Sequence, residues 1–200
     1  MAKDTGRNDM RSRIAHLAAR LMAEDGIEDY ALAKRKAARQ AGAPDTRELP
    51  ANEEINAALR TYQQIYHPED HRGRLRELRE KAVRAMREFS RFNPHLTGSV
   101  LSGNAGKYAD INLQLYTDNV KSVELYLIDQ RIPYKTAQNR LYSGEGQLTV
   151  PVYTVHDDGT EIEITVLSTR ELRVPVRTRL EGKAIERAKL AAVVALLEKT

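Results

Sequence analysis

The 200-residue chain has no cysteine, no tryptophan and only two phenylalanines. Without cysteine there is no disulfide, no thiolate metal site and no cysteine nucleophile, so any chemistry must use oxygen, nitrogen or hydroxyl groups. Long apolar runs are missing too. No stretch approaches the roughly 18 residues that a membrane span needs, and the first residues, MAKDTGRNDMRSR, lack the apolar core of a secretory signal. These absences lead to the expectation of a soluble, cytoplasmic chain with no membrane partner. With 41% hydrophobic, 30% charged and 6% aromatic residues, the composition is that of a globular protein. A mean hydropathy of -0.57 leaves much of the surface solvated. The length suits one domain, or one domain with a helical appendage, and is enough to bury a core. The net charge of +4 is unevenly spread: residues 1–91 hold 19 Lys or Arg against 15 Asp or Glu, whereas residues 92–200 hold 13 of each.

The spacing predicts helices in residues 1–91. Ile14, Leu17, Ala18, Leu21 and Met22 recur at helical intervals and stop at Gly26. Asp29 is placed to cap YALAKRKAARQA, which Gly42 and Pro44 end. After Pro50, Asn52 can cap a third helix with Glu53 and Glu54 at its positive end and Ile55, Leu59, Tyr62 and Tyr66 as its stripe. His67-Pro68 breaks it, and a fourth helix from about Asp70 to Ser90 turns Leu75, Leu78, Ala82, Met86 and Phe89 inward.

Near Asn93-Pro94 the period changes from 3.6 to 2, which predicts an α+β fold with a mixed sheet in residues 92–200. Five strands are expected: His95–Ser99, Asp110–Thr117, Tyr134–Tyr142, Leu148–Val155 and Glu161–Leu167. A helix from Asp118 to Gln130 links the second and third, turns at 143–146 and 157–159 join the last three as hairpins, and a helix from Gly182 to Glu198 closes the chain.

The stretch with chemical content runs from Thr97 to Leu113, TGSVLSGNAGKYADINL. Gly98-Ser99 follows a strand, Gly103 comes four residues after the serine, and Asp110-Ile111-Asn112-Leu113 opens the next strand. This pattern, over roughly residues 93–170, resembles the DNA polymerase β-like nucleotidyltransferase superfamily, in particular its minimal members. The resemblance implies a magnesium (or manganese) dependent transfer of a nucleoside monophosphate from an NTP to a hydroxyl. Asp110 and Glu163 would be the catalytic acids, and Asp110, Asn112 and Glu163 the metal ligands. Gly98, Ser99, Gly103 and Lys107 would bind the nucleotide. The physical reasoning agrees with these roles. Hard cations prefer carboxylate oxygens, two residues one apart on a strand point the same way, and a Gly-Ser turn lets backbone N–H groups approach phosphate. Glu161 and Glu163 both leave the apolar face of their strand; Glu163 is preferred as ligand because it is mid-strand, with Glu161 the alternative.

Two positions depart from the pattern. Asn112 stands where the second acid belongs and offers an oxygen without charge. Ser102 stands where many members carry an arginine. Both departures carry the alternative reading, a catalytically degenerate module that binds nucleotide, RNA or a protein partner. Gly106-Lys107 is not a P-loop, because position 101 is Leu and Tyr108 replaces the metal-binding hydroxyl residue. The five histidines lack ligand spacing and read as surface, Ser168 and Glu171 read as a capping box, and Arg170 and Arg173 read as solvated. Lys34, Arg35, Lys36 and Arg39 cluster on one short helix, a solvated face or a basic arm for RNA or a protein partner.

Overall fold

In a computed structural model the described residues are 2–27, 29–44, 46, 48–66, 68–106, 109–180 and 182–199, of which 2–8, 63–66 and 68–70 are described as backbone. The fold is α+β, with seven α-helices and one mixed sheet of seven strands among those residues. No helix of the described residues is long and apolar enough to cross a membrane. Contacts divide the chain into two units, Met1–Arg74 with Gly103–Ala109, and Leu75–Ser102 with Asp110–Thr200. The division falls at Arg74, upstream of the change of period at Asn93-Pro94.

The first unit is helical: α1 spans Ala2–Glu24, α2 Tyr30–Gln40 and α3 Asn52–Tyr66. Asp29 caps α2 by accepting the Leu32 N–H at 2.8 Å. Glu54 accepts the Ala51 N–H at 2.6 Å and the Arg11 Nε–H at 2.8 Å, so one carboxylate serves the start of α3 and ties it to α1. The core holds Ile14, Ala18, Ala19, Ala33, Ala37, Ala38, Ile55 and Leu59, all nearly free of solvent. Its alanines leave little side chain between the helices, which brings their backbones close.

The helix α4, Pro68–Glu88, begins on a proline whose missing N–H costs nothing at a helix start. From Leu75 onward it belongs to the second unit, where Leu75, Leu78, Ala82, Met86 and Phe89 are buried as their spacing predicts. The remaining elements are β1 (His95–Thr97), α5 (Gly98–Ser102), β2 (Ile111–Tyr116), α6 (Lys121–Asp129), β3 (Lys135–Ser143), β4 (Gly146–Asp157), β5 (Thr160–Leu167), β6 (Val176–Arg177), β7 (Arg187–Lys189) and α7 (Leu190–Leu197). Sheet order is β6-β3-β4-β5-β2-β1-β7, and β2 and β5 run parallel while every other neighbouring pair is antiparallel.

Seven strands replace the five expected, because β6 and β7 are two and three residues long, too short to show a period. The first strand stops at Thr97, since Gly98 turns into α5 at φ +74°. The C-terminal helix starts at Leu190 and not at Gly182: Ile185 gives its N–H to the Val176 carbonyl at 2.9 Å, and Ala188 pairs with Leu96 across β7 and β1.

Two buried cations hold the second unit together. Arg79 gives its guanidinium to three carbonyls, Val100 at 3.2 Å, Leu101 at 3.4 Å and Leu196 at 3.5 Å, the last turns of α5 and α7. Lys81 donates to the Asp158 carbonyl at 3.0 Å and to Thr160 Oγ1 at 2.9 Å, and pairs with Glu77 at 3.0 Å, which fixes α4 to the β4–β5 turn.

Candidate functional site

One face of the sheet is apolar and filled by Leu96, Ile111, Leu113, Leu115, Ile162, Ile164 and Val166. Alternation along the strands sends their neighbours to the opposite face, which is polar around Asn112 and Glu163 and carries a second apolar cluster of Tyr116, Leu141, Val150, Leu167 and Val176 further along. There the register sets residues in rows. Thr97 of β1 faces Asn112 of β2, Asn112 faces Glu163 of β5, and Glu163 faces Thr154 of β4. The row one step along contains His156 and Glu161, which face each other across β4 and β5, with Asp110 immediately before β2. Asp110, Asn112, Glu161 and Glu163 thus gather at one end of adjacent parallel strands, although some fifty residues separate the two pairs.

The carboxylates differ in what surrounds them. Glu161 pairs with His156 Nε2 at 3.0 Å. Among the described residues the Asp110 and Glu163 carboxylates have no hydrogen-bond or ion-pair partner. Burial holds the Asp110 carboxyl above its ordinary pKa, and the charge of Glu161 adds to the rise while His156 opposes it. Glu163 is also held above its ordinary value, first by burial and then by the charges of Asp110 and Glu161. The site therefore concentrates negative charge in a half-buried place with little built-in neutralisation.

Gly98 lies against this cluster. A Cβ built on it meets Asn112 Nδ2 at 3.2 Å, and its φ of +74° is one that side chains rarely adopt. The glycine is therefore needed twice, for the turn and for the close approach to Asn112. Ser99 follows in α5, a helix of only five residues. The Ser102 hydroxyl bonds back to the Ser99 carbonyl at 3.3 Å.

The structure brings together five of the residues singled out by sequence, Gly98, Ser99, Asp110, Asn112 and Glu163, with Glu161. Gly103, at φ +81°, belongs to the first unit, where its carbonyl meets His71 Nε2 at 3.1 Å. Lys107 lies outside the described residues. Among the described residues no three His, Asp or Glu side chains converge tightly enough to hold a metal by themselves.

Sequence reasoning missed two histidines. His156 is the partner of Glu161, and the 157–159 turn already placed them on facing strands. His95 is not a surface residue: it is 3% exposed, bonds the Asn93 carbonyl at 2.9 Å and stacks edge-on against Tyr116 at 5.0 Å. Beside it, Arg187 donates to Tyr116 Oη at 2.6 Å and to the Glu171 and Leu172 carbonyls at 3.0 and 2.7 Å. Burial keeps the His95 ring pKa below its usual value, and Arg187 and Lys189 push it further down. Ser168 and Glu171 do not form the expected capping box: no side chain caps the short 3-10 helix, Thr169–Leu172, and the Ser168 hydroxyl instead donates to the Glu171 carboxylate. Arg170 and Arg173 are exposed.

The chain matches no family model, no curated protein and no solved structure.

Proposed function

We propose that the second unit is a metal-dependent nucleotidyltransferase that moves a nucleoside monophosphate from an NTP to a hydroxyl acceptor. The observation that carries this reading is the register of β2 and β5, which pairs Asn112 with Glu163 beside Asp110 and beneath the glycine turn at Gly98. The donor set fits a magnesium or manganese ion, because such ions take one or two protein carboxylates and complete their shell with substrate phosphates and water. Asp110 and Glu163 would hold it, with the Asn112 carbonyl as a neutral third oxygen. The raised pKa values agree: two carboxylates that repel each other in a half-buried place are relieved by a cation. When bound, the metal supplies charge neutralisation at the triphosphate.

The chain's own residues then do the following. The Gly98-Ser99 turn offers backbone N–H groups to phosphate with no side chain in the way at Gly98. Glu163 or Asp110 accepts the acceptor's hydroxyl proton as its oxygen attacks the α-phosphorus. The bond to the bridging oxygen breaks, and pyrophosphate leaves with that electron pair.

Asn112 supports a second reading, a domain that binds nucleotide without turning it over, because it leaves two acids at positions where three are usual in the superfamily the sequence resembles. Thermal unfolding with each NTP, with and without Mg²⁺, separates the readings. A catalytic site gives a metal-dependent rise in Tm that Asp110→Ala removes, together with pyrophosphate release that the same variant abolishes. A rise in Tm without pyrophosphate release favours the binding module. No rise with any nucleotide overturns both.

A further inference from the structure

The first unit has a pocket of about 410 Å³ between α1 and α3. Arg13, His16 and Arg20 line it from one face of α1, at spacings of three and four residues, and Thr61 and Tyr62 line it from α3. Leu17 and the buried Ala58 supply apolar surface between them. Each polar group has an identifiable state. Arg20 is paired with Glu24 at 2.9 Å, and the Tyr62 hydroxyl bonds the same carboxylate, so this end of the pocket is neutralised. Thr61 gives its hydroxyl hydrogen to the Ala57 carbonyl at 3.1 Å, which leaves its oxygen as an acceptor. His16 Nδ1 is engaged with the Ser12 carbonyl at 2.8 Å, which leaves Nε2 for another partner. Arg13 has no hydrogen bond or ion pair among the described residues. The other end of the pocket thus offers an uncompensated guanidinium and an imidazole nitrogen.

We infer that this pocket binds a nucleoside monophosphate, free or as the 5′-phosphorylated end of an RNA strand. The phosphate pairs with Arg13, by charge and by the fit of a guanidinium fork to phosphate oxygens, and His16 Nε2, an acceptor because Nδ1 donates to the Ser12 carbonyl, takes a ribose hydroxyl. The base lies over Leu17 and Ala58 against the Tyr62 ring, and a base N–H reaches the Thr61 oxygen. The volume suits one nucleotide and lies at the lower end of the range for small-ligand sites. The inference is independent of the carboxylate site in the second unit, which the test exploits.

The full chain is titrated calorimetrically, in EDTA, with the four nucleoside 5′-monophosphates, adenosine, inorganic phosphate, and a short RNA with either a 5′-phosphate or a 5′-hydroxyl. At least one monophosphate is expected to bind roughly tenfold more tightly than adenosine or inorganic phosphate. Arg13→Gln, on an exposed side chain, is expected to weaken it by roughly tenfold, Thr61→Val by less, and Asp110→Ala not at all. Tighter binding of the 5′-phosphorylated RNA than of the free nucleotide assigns the site to a strand end, and the reverse assigns it to free nucleotide. Binding that survives Arg13→Gln, adenosine that binds as well as its monophosphate, or no binding of any monophosphate overturns the inference.

Discussion

Glu54 in the first unit and Glu163 in the second are both half-shielded from water, yet their chemistry is opposite. The Arg11 guanidinium, in bidentate contact, and the Ala51 N–H pull Glu54 down to about 2. Burial and two neighbouring acids push Glu163 up. A fold that needs a carboxylate for its own stability surrounds it with donors, as around Glu54. In the second unit the buried donors are spent elsewhere: Lys81 goes to a turn, Arg79 to helix ends, Arg187 to Tyr116 and two carbonyls. The difference teaches that the pair Asp110–Glu163, without a partner among the described residues, works against folding, and under the proposed function a bound cation would remove that cost.

The comparison can be tested most severely at Gly98. Gly98→Ala places a methyl at 3.2 Å from Asn112 Nδ2 on a backbone at φ +74°, and should destabilise the protein by about 2 kcal/mol in urea unfolding. The same variant should lose the NTP and Mg²⁺ stabilisation, because Asn112 has to move. Glu54→Gln comes next, with a loss of about 1 kcal/mol or less at pH 7, discounted because both partners are more than a third exposed. Its sign with pH is fixed: the folded pKa is below the ordinary 4.5, so the contribution is present above that value and disappears as pH falls toward 2. The smallest effect has the opposite sign. Asp110 and Glu163 have raised folded pKa values, so their contribution is present at pH below the ordinary carboxylate range and is lost as pH rises through the raised values. Glu163→Gln should therefore raise Tm at neutral pH by about 1–3 °C and leave it unchanged at acid pH. A drop in Tm at neutral pH would show that Glu163 has a favourable partner and would remove the contrast with Glu54.

Much of the fold could be read locally. The Asp29 cap, the α4 stripe from Leu75 to Phe89 and the four longer strands, β2 to β5, each announce themselves within one window of sequence. Failures arise where a longer-range partner decides. Ile185 and Ala188 fit a helix face, but Val176 and Leu96 take them as strand neighbours, and no local signal shows that. His95 looks like any polar residue in a short strand, and only Tyr116 and Arg187 explain its burial. For the candidate site, the Gly98-Ser99 and Asp110-Ile111-Asn112 pieces are visible in the chain, and Glu163 is visible as the polar phase of its strand. Their juxtaposition depends on the parallel register of β2 and β5, which sequence spacing cannot set. The placement of Gly103 in the other unit was equally hidden.

Strand β3 meets the outermost strand β6 only at Tyr142 and Ser143 among the described residues, so the stretch from Lys135 to Arg140 is left uncovered on that side, with only the Arg140 N–H taken up locally, by Asn139 Oδ1 at 2.8 Å. All six of those residues are exposed, and the run begins and ends on a positive charge. Two copies meeting edge to edge would bring lysine and arginine into mutual repulsion, so the charges act as gatekeepers against sheet-to-sheet aggregation. Neutralising both is expected to lower the concentration at which the protein precipitates with no change in the stability of its fold.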